Sequence, residues 1–199
     1  QIQQLSKFFN LNKIAYPIIF TNENEENIAK KRLSSEKKYI IIAPGGNWFP
    51  KIWPVEYFNK FIQTLFNNNK DTLIILVGSH NEKERFKNKL IRNIDETKII
   101  DIMGENVTQT YSFIKRGSLF IGNDSGLMHL AAASNIPTIG LFGPTNNKLY
   151  APFGEKCYII RTKETYEDFS HIKIKNNQSY MHSIKVEDVF EVIDAKKII

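Results

Sequence analysis

The sequence predicts an α/β protein built on a doubly wound, parallel, Rossmann-like sheet. Three features carry that reading. Short continuous apolar runs recur along the chain, as expected of strands buried on both faces. Amphipathic helical stretches separate these runs at the spacing of β-α-β crossovers, which implies right-handed connections. Turns rich in glycine and polar residues follow several of the runs, where sheets of this kind hold their ligands.

The elements follow in order. Residues 1–38 hold a short apolar, strand-like piece (Tyr16–Phe20) and a polar helical run (Glu25–Leu33). They read as a linker and the tail of a preceding domain. Tyr39–Ala43 is the first buried strand, broken by Pro44-Gly45-Gly46. Pro54 opens a helix to about Asn68 that aligns Phe58, Phe61, Ile62, Leu65 and Phe66 on one face. Thr72–Val77 is the second strand, Asn81–Arg92 a helix and Lys98–Ile102 the third strand. Thr108–Arg116 is a helix stopped by Gly117, and Leu119–Ile121 is the fourth strand. Ser125–Ser134 is a helix, Thr138–Phe142 the fifth strand and Tyr158–Ile160 a sixth. Val186–Ile198 closes the chain as an amphipathic helix.

Composition excludes several classes. No apolar run approaches the roughly 20 residues that cross a bilayer, and Gln1–Asn10 lacks the apolar core of a signal peptide. The chain starts with Gln, so it is expected to be a piece of a longer one. The single cysteine, Cys157, excludes an internal disulfide and fits a reducing cytoplasm. Net charge is +6, but the lysines and arginines are scattered among acids, without an arginine-rich stripe or a nucleic-acid module. A solvated basic surface accounts for this. Weak attraction to a phosphate-bearing acceptor or a membrane face is the sharper alternative.

The strand ends carry the chemistry. After the first strand, Gly45, Gly46 and Asn47 allow close backbone approach, and Lys51 sits just before a helix start. An anion held there would explain the lysine; a solvated loop lysine is the alternative. After the second strand, Glu82 falls in the first turn of a helix. It can accept from ribose hydroxyls or simply complement the helix dipole. The strongest signal follows the fourth strand, at Gly122-Asn123-Asp124-Ser125-Gly126-Leu127-Met128-His129. Asp124 or Ser125 can cap the helix. Ser125 and Gly126 place free N–H groups at its positive end. His129 shares a face with Ser125, away from Leu127, Leu130, Ala131 and Ser134, which are expected to face the core. Asp124 suits a sugar hydroxyl or a backbone cap better than a phosphate. After the fifth strand, Thr145 can add a hydroxyl to a phosphate or merely belong to a turn.

Asp, Ser and His in one run invite a hydrolase reading, but the order is Gly-x-x-Ser-Gly and not the Gly-x-Ser-x-Gly of a nucleophile elbow. A Walker loop, a Gly-x-Gly-x-x-Gly and a zinc-type cysteine–histidine cluster are absent from the sequence, as is an Asp-x-Asp pair after a strand. A bound diphosphate would then rely on Lys51, helix dipoles and His129.

Taken together, Lys51-x-Trp53-Pro54, Gly78-x3-Glu82, Asn123-Asp124-Ser125-Gly126-x2-His129-x-Ala131 and Phe142-Gly143-Pro144-Thr145 resemble the ADP-heptose:lipopolysaccharide heptosyltransferases, glycosyltransferase family 9. The resemblance covers about residues 39–150, and more loosely 179–193. It implies the C-terminal, donor-binding half of a two-domain GT-B glycosyltransferase. Residues 39–185 would form the nucleotide-sugar-binding domain and 186–199 its closing helix. Lys51 would contact the donor phosphates and Glu82 the ribose, with the backbone of Gly104–Asn106, including Glu105, against adenine. Asp124, Ser125, Gly126 and His129 would hold the diphosphate and sugar, with Gly46, Asn47 and Thr145 as further contacts. The implied reaction is a metal-independent, inverting transfer of heptose from ADP-heptose to the lipopolysaccharide inner core. Its base, an Asp of the N-terminal domain, is expected outside this chain, so the chain alone would be inactive. A related transferase using another nucleotide sugar, or a non-catalytic nucleotide-binding module, is the alternative. The implied location is the cytoplasm, with peripheral association at the inner membrane as a further option. The lipopolysaccharide core would be met through the missing domain, and no nucleic-acid partner is expected.

Overall fold

The structure, a computed structural model, describes residues 8, 16–69, 71–86, 89–90 and 95–199. Six parallel strands form one sheet: β1 (Lys38–Ala43), β2 (Thr72–Leu76), β3 (Ile99–Asp101), β4 (Leu119–Asn123), β5 (Thr138–Phe142) and β6 (Cys157–Arg161). Their order is β3-β2-β1-β4-β5-β6. Ile41 pairs in register with Ile75 on one side and with Phe120 on the other. The doubly wound parallel sheet expected from the sequence is the sheet observed.

Alternation along each strand explains why the sheet is covered on both sides. Ile40, Ile42, Ile74, Leu76, Leu119, Ile121, Ile139 and Leu141 point to one face. There they meet α2 (Val55–Asn68), α3 (His80–Phe86) and α8 (Val186–Ala195) through Phe58, Phe61, Ile62, Leu65, Phe86, Val189 and Ile193. Tyr39, Ile41, Ala43, Ile75, Val77, Phe120 and Phe142 point to the other face. They meet α4 (Val107–Ile114), α5 (Gly126–Ala133) and, through Ala29, α1 (Glu23–Arg32). Each fully buried aliphatic or aromatic side chain contributes roughly 1.5–3 kcal/mol. Two small helices, α6 (Asn147–Tyr150) and α7 (Tyr166–Ser170), flank β6 and are not foreseen in the sequence.

Some expectations are corrected. Tyr16–Phe20 forms no strand: the segment pairs with neither sheet edge, contains Pro17, and leaves Tyr16, Ile18 and Phe20 exposed before the Asn22 cap of α1. The closing helix ends at Ala195, short of Ile198, because Lys197 takes φ 51°. The helix expected over Asn81–Arg92 is described only as far as Phe86; residues 87–88 and 91–94 lie outside the described residues, as do residues 1–7 and 9–15 of the expected linker.

The chain winds α2 and α3 on one face, then crosses to place α4 and α5 on the other. The reversal falls between β1 and β4, which are neighbours in the sheet. Their loops diverge at the carboxyl edge and leave a crevice between them.

Candidate functional site

A cleft of about 1100 Å³ opens at this carboxyl edge. It is lined from the β1 side by Gly46, Asn47 and Lys51, from the β2 and β3 side by Glu82 and Glu105, and from the β4 and β5 side by Asp124, Ser125, Gly126, His129 and Thr145. The structure thus brings every site residue expected from the sequence to one cavity.

The floor is fixed by Asn123, the last residue of β4, which is fully buried. Its Oδ1 accepts from the Trp53 N–H at 2.8 Å. Its Nδ2 donates to the carbonyls of Pro44 and Gly45 at 3.0 and 2.9 Å. The amide therefore staples the loop after β1 to the end of β4. Trp53 is itself buried, with its indole N–H donating to Ile184 O at 3.0 Å and its ring edge-on to Phe58. Lys51, on the short 3-10 turn Phe49–Lys51, is thereby aimed across at β4. It forms an ion pair with Asp124 at 3.5 Å, with both side chains nearly buried.

Ser125 occupies the N-cap of α5 but makes no cap hydrogen bond, so the first amides of the helix keep their donors. A Cβ on Gly126 would meet nothing within 4 Å, so open space lies in front of this helix start. The fully buried face of α5 is Met128, Ala131 and Ala132; the expected Ala131 belongs to it and the expected Leu127 and Leu130 pack against the same core half-buried, whereas Met128 is not foreseen and Ser134 is only half-buried. Leu127 and Leu130 also line the cleft. The helix begins one residue later than expected, at Gly126. His129 is exposed at the cleft, as expected. Crowding by protein atoms holds its pKa below the ordinary 6.5, with Asp124 raising it and Lys51 lowering it further.

On the far side, Glu82 accepts from the N–H and hydroxyl of Ser79 at 2.7 and 2.9 Å, which locks its carboxylate at the start of α3. A Cβ built on Gly45 would fall inside that carboxylate, so a side chain at position 45 would displace Glu82 from this place. Gly104, with φ 97°, turns the chain after β3 and donates its N–H to Gly78 O at 2.8 Å. Glu105 and the 61% exposed Val107 follow at the cleft edge.

Two hydroxyl oxygens of the cleft residues, Ser125 Oγ and Thr145 Oγ1, are buried without a hydrogen-bond partner. Arg85 and Tyr150 also line the cleft, and no motif in the sequence marks them. Among the described residues, no group of three or more His, Cys, Asp or Glu is placed to hold a metal ion. Among the same residues, no helix is long and apolar enough to cross a membrane.

Fold and cleft together define a doubly wound α/β domain with a cleft at the topological switch point. Comparison with known proteins specifies it further. The family model "Glycosyltransferase family 9 (heptosyltransferase)" matches residues 2–179, and the chain belongs to that family. It is 31% identical to the lipooligosaccharide heptosyltransferase 2 of Haemophilus influenzae over 137 residues, 66% of this chain and 39% of that protein. Among solved structures, a family 9 glycosyltransferase from Veillonella parvula superposes with a TM-score of 0.81 at 20% identity, covering 96% of this chain and 57% of that one. The E. coli ADP-heptose lipopolysaccharide heptosyltransferase II gives 0.74 at 24% identity, with 92% and 54% covered. The chain spans about half the length of the relatives it matches.

Proposed function

We propose that this chain is the donor-binding half of an inverting glycosyltransferase that moves heptose from ADP-heptose to the lipopolysaccharide inner core. The observation that carries the reading is the convergence of Lys51, Glu82, Asp124, Ser125, Gly126 and His129 on one cleft at the switch point. The heptosyltransferase names of the curated relatives support the transferred group. The E. coli ADP-heptose heptosyltransferase that shares this fold supports the nucleotide.

In this reading the nucleoside lies toward Glu82, Glu105 and Val107, with the Glu82 carboxylate accepting from ribose hydroxyls. The diphosphate lies over the start of α5. Transfer breaks the bond between the anomeric carbon and the phosphate oxygen, and negative charge grows on the departing ADP. Lys51, the amides at Ser125 and Gly126, and the neutral His129 ring are placed to stabilise that charge without a metal. In this reading a further domain supplies the base that takes the proton of the acceptor hydroxyl and the surface that meets the lipopolysaccharide core. Such an enzyme would work in the cytoplasm, at the inner face of the membrane that carries its acceptor.

Calorimetric titration of the chain with ADP, UDP and GDP tests the reading. ADP is expected to bind tightest, and the chain alone is expected to transfer no sugar. Absence of binding by all three at millimolar concentration would sink the donor-site assignment. Robust turnover by the chain alone would sink the division of labour.

A further inference from the structure

The turn after β5, Gly143-Pro144-Thr145, closes the cleft on the side away from Glu82. It is clamped from the neighbouring strand. Arg161, the last residue of β6, donates through Nη1 to Thr145 O and to Asn147 Oδ1, both at 2.9 Å, and through Nη2 to Gly143 O at 2.6 Å. Asn147 opens α6, whose last residue, Tyr150, also lines the cleft. One planar guanidinium thus fixes the turn and the helix start together, a task suited to its rigid fork of donors. Burial lowers the Arg161 pKa, and Glu167 and Asp168 nearby favour its charge.

What this clamp presents is the Thr145 hydroxyl, buried and without a partner. Leaving such a group unpaired is unfavourable, so a ligand oxygen would be well received there. The lysine and arginine of the cleft, Lys51 and Arg85, belong to the β1 and β2 side. Lys148, beside the turn, pairs with Glu167 at 3.7 Å. The β5 end therefore offers the cleft a hydroxyl and a phenol, without a directed cation, which suits a neutral polyol and not a phosphate.

We infer that Arg161 is a positioning residue that presents the Thr145 hydroxyl to the sugar carried beyond the donor diphosphate. The inference rests on the donor-site reading above. It is tested by titrating ADP and ADP-heptose into the wild-type chain, Thr145→Val, Thr145→Ser, Arg161→Met, Arg161→Lys and the Thr145→Val/Arg161→Met double variant. Thermal melting of each reports folding. The ratio of ADP-heptose to ADP affinity is expected to fall about three- to tenfold in Thr145→Val and to recover in Thr145→Ser. Arg161→Met should lower it by a similar factor, without adding to Thr145→Val. If Arg161→Met fails to fold, Arg161→Lys, which cannot span both carbonyls, should show the same loss in part.

Equal weakening of ADP and ADP-heptose by Thr145→Val would assign the hydroxyl to the phosphates or to the fold, and would overturn the inference. Additive effects of the two substitutions would overturn the link between Arg161 and Thr145. Normal binding of both ligands by wild type with no change in Thr145→Val would overturn this inference alone. Binding of neither ligand by wild type would overturn the donor-site reading and this inference with it.

Discussion

Lys51 Nζ lies 3.5 Å from Asp124 Oδ2, joining the loops after β1 and β4 at the base of the cleft in an ion pair nearly closed to solvent. The separation is long for a charge-assisted hydrogen bond. Among the described residues the ammonium makes no hydrogen bond to protein, so its donors remain for a ligand. The carboxylate holds the lysine in place while opposing any phosphate that approaches it.

This relationship predicts effects of opposite sign. Lys51→Met should weaken ADP binding by about ten- to a hundredfold, the worth of a hydrogen bond to a charged group. Asp124→Asn should strengthen ADP binding several-fold, because the lysine keeps its charge and loses the competing anion. Calorimetry at low salt reads both. Wild-type affinity in Lys51→Met would make the pair purely structural.

His129 supplies a pH dependence. Its pKa is held below 6.5 by crowding of the ring, so the side chain is neutral at about pH 7.5. A bound diphosphate favours the imidazolium, so ADP affinity should rise as pH falls from about 7.5 toward 6. His129→Gln should flatten that rise. The free protein should respond the other way. The unfolded chain takes up this proton more readily, so stability is full above pH 6.5 and declines below it. An ADP affinity that is equally pH-dependent in His129→Gln would remove the histidine from the phosphate site.

Much of this is legible in the sequence, for reasons that can be named. Strands such as Tyr39–Ala43 and Thr138–Phe142 are buried on both faces, and their unbroken apolar runs show it. Lys51, Glu82 and the run from Asp124 to His129 follow strand ends, and a parallel sheet gathers strand ends at one edge. What stays hidden depends on distant partners. Asn123 and Arg161 act on backbone carbonyls, and no residue type marks those in a sequence. The full burial of Met128 on α5 escapes the sequence because Met128 and the leucines are equally apolar. Only the packing decides their ranking, with Met128 fully buried and Leu127 and Leu130 half-buried beside it.

Glu26 links α1 to α4. It pairs with Lys115 and with Arg116, the latter at 2.7 Å, and accepts from the Thr21 hydroxyl. Burial alone would raise its pKa, but hydrogen bonds from Lys115, Thr21 and Arg116 bring it from 4.5 to about 2. A depressed carboxylate stabilises the fold fully above pH 4.5, and this contribution disappears as pH falls through about 2. Glu26→Gln should cost about 1–3 kcal/mol near neutral pH. Its urea-unfolding curve should converge with that of wild type as the pH is lowered toward about 3. A constant gap from about pH 7 to 3 would show that packing, and not charge, is what the substitution removes.

Asn123→Asp tests the staple beneath the cleft with almost no change in shape. The aspartate keeps an acceptor for the Trp53 N–H, now at 2.8 Å. It cannot donate to the carbonyls of Pro44 and Gly45, which sit at 3.0 and 2.9 Å from the present amide nitrogen. A carboxylate facing two carbonyl oxygens in a fully buried site must either take a proton or push the loop away. The cost should be about 3–5 kcal/mol, in the range seen when a buried charge lacks a partner. Because a protonated aspartic acid regains one donor, the loss should shrink as the pH is lowered from about 7 to 5, opposite to the trend from His129. Displacement of the loop also carries Lys51 away from Asp124, so nucleotide affinity should fall together with stability. Unfolding measured with and without ADP at both pH values separates the effects. A variant as stable as wild type at about pH 7 would mean that the loop after β1 holds its place without Asn123.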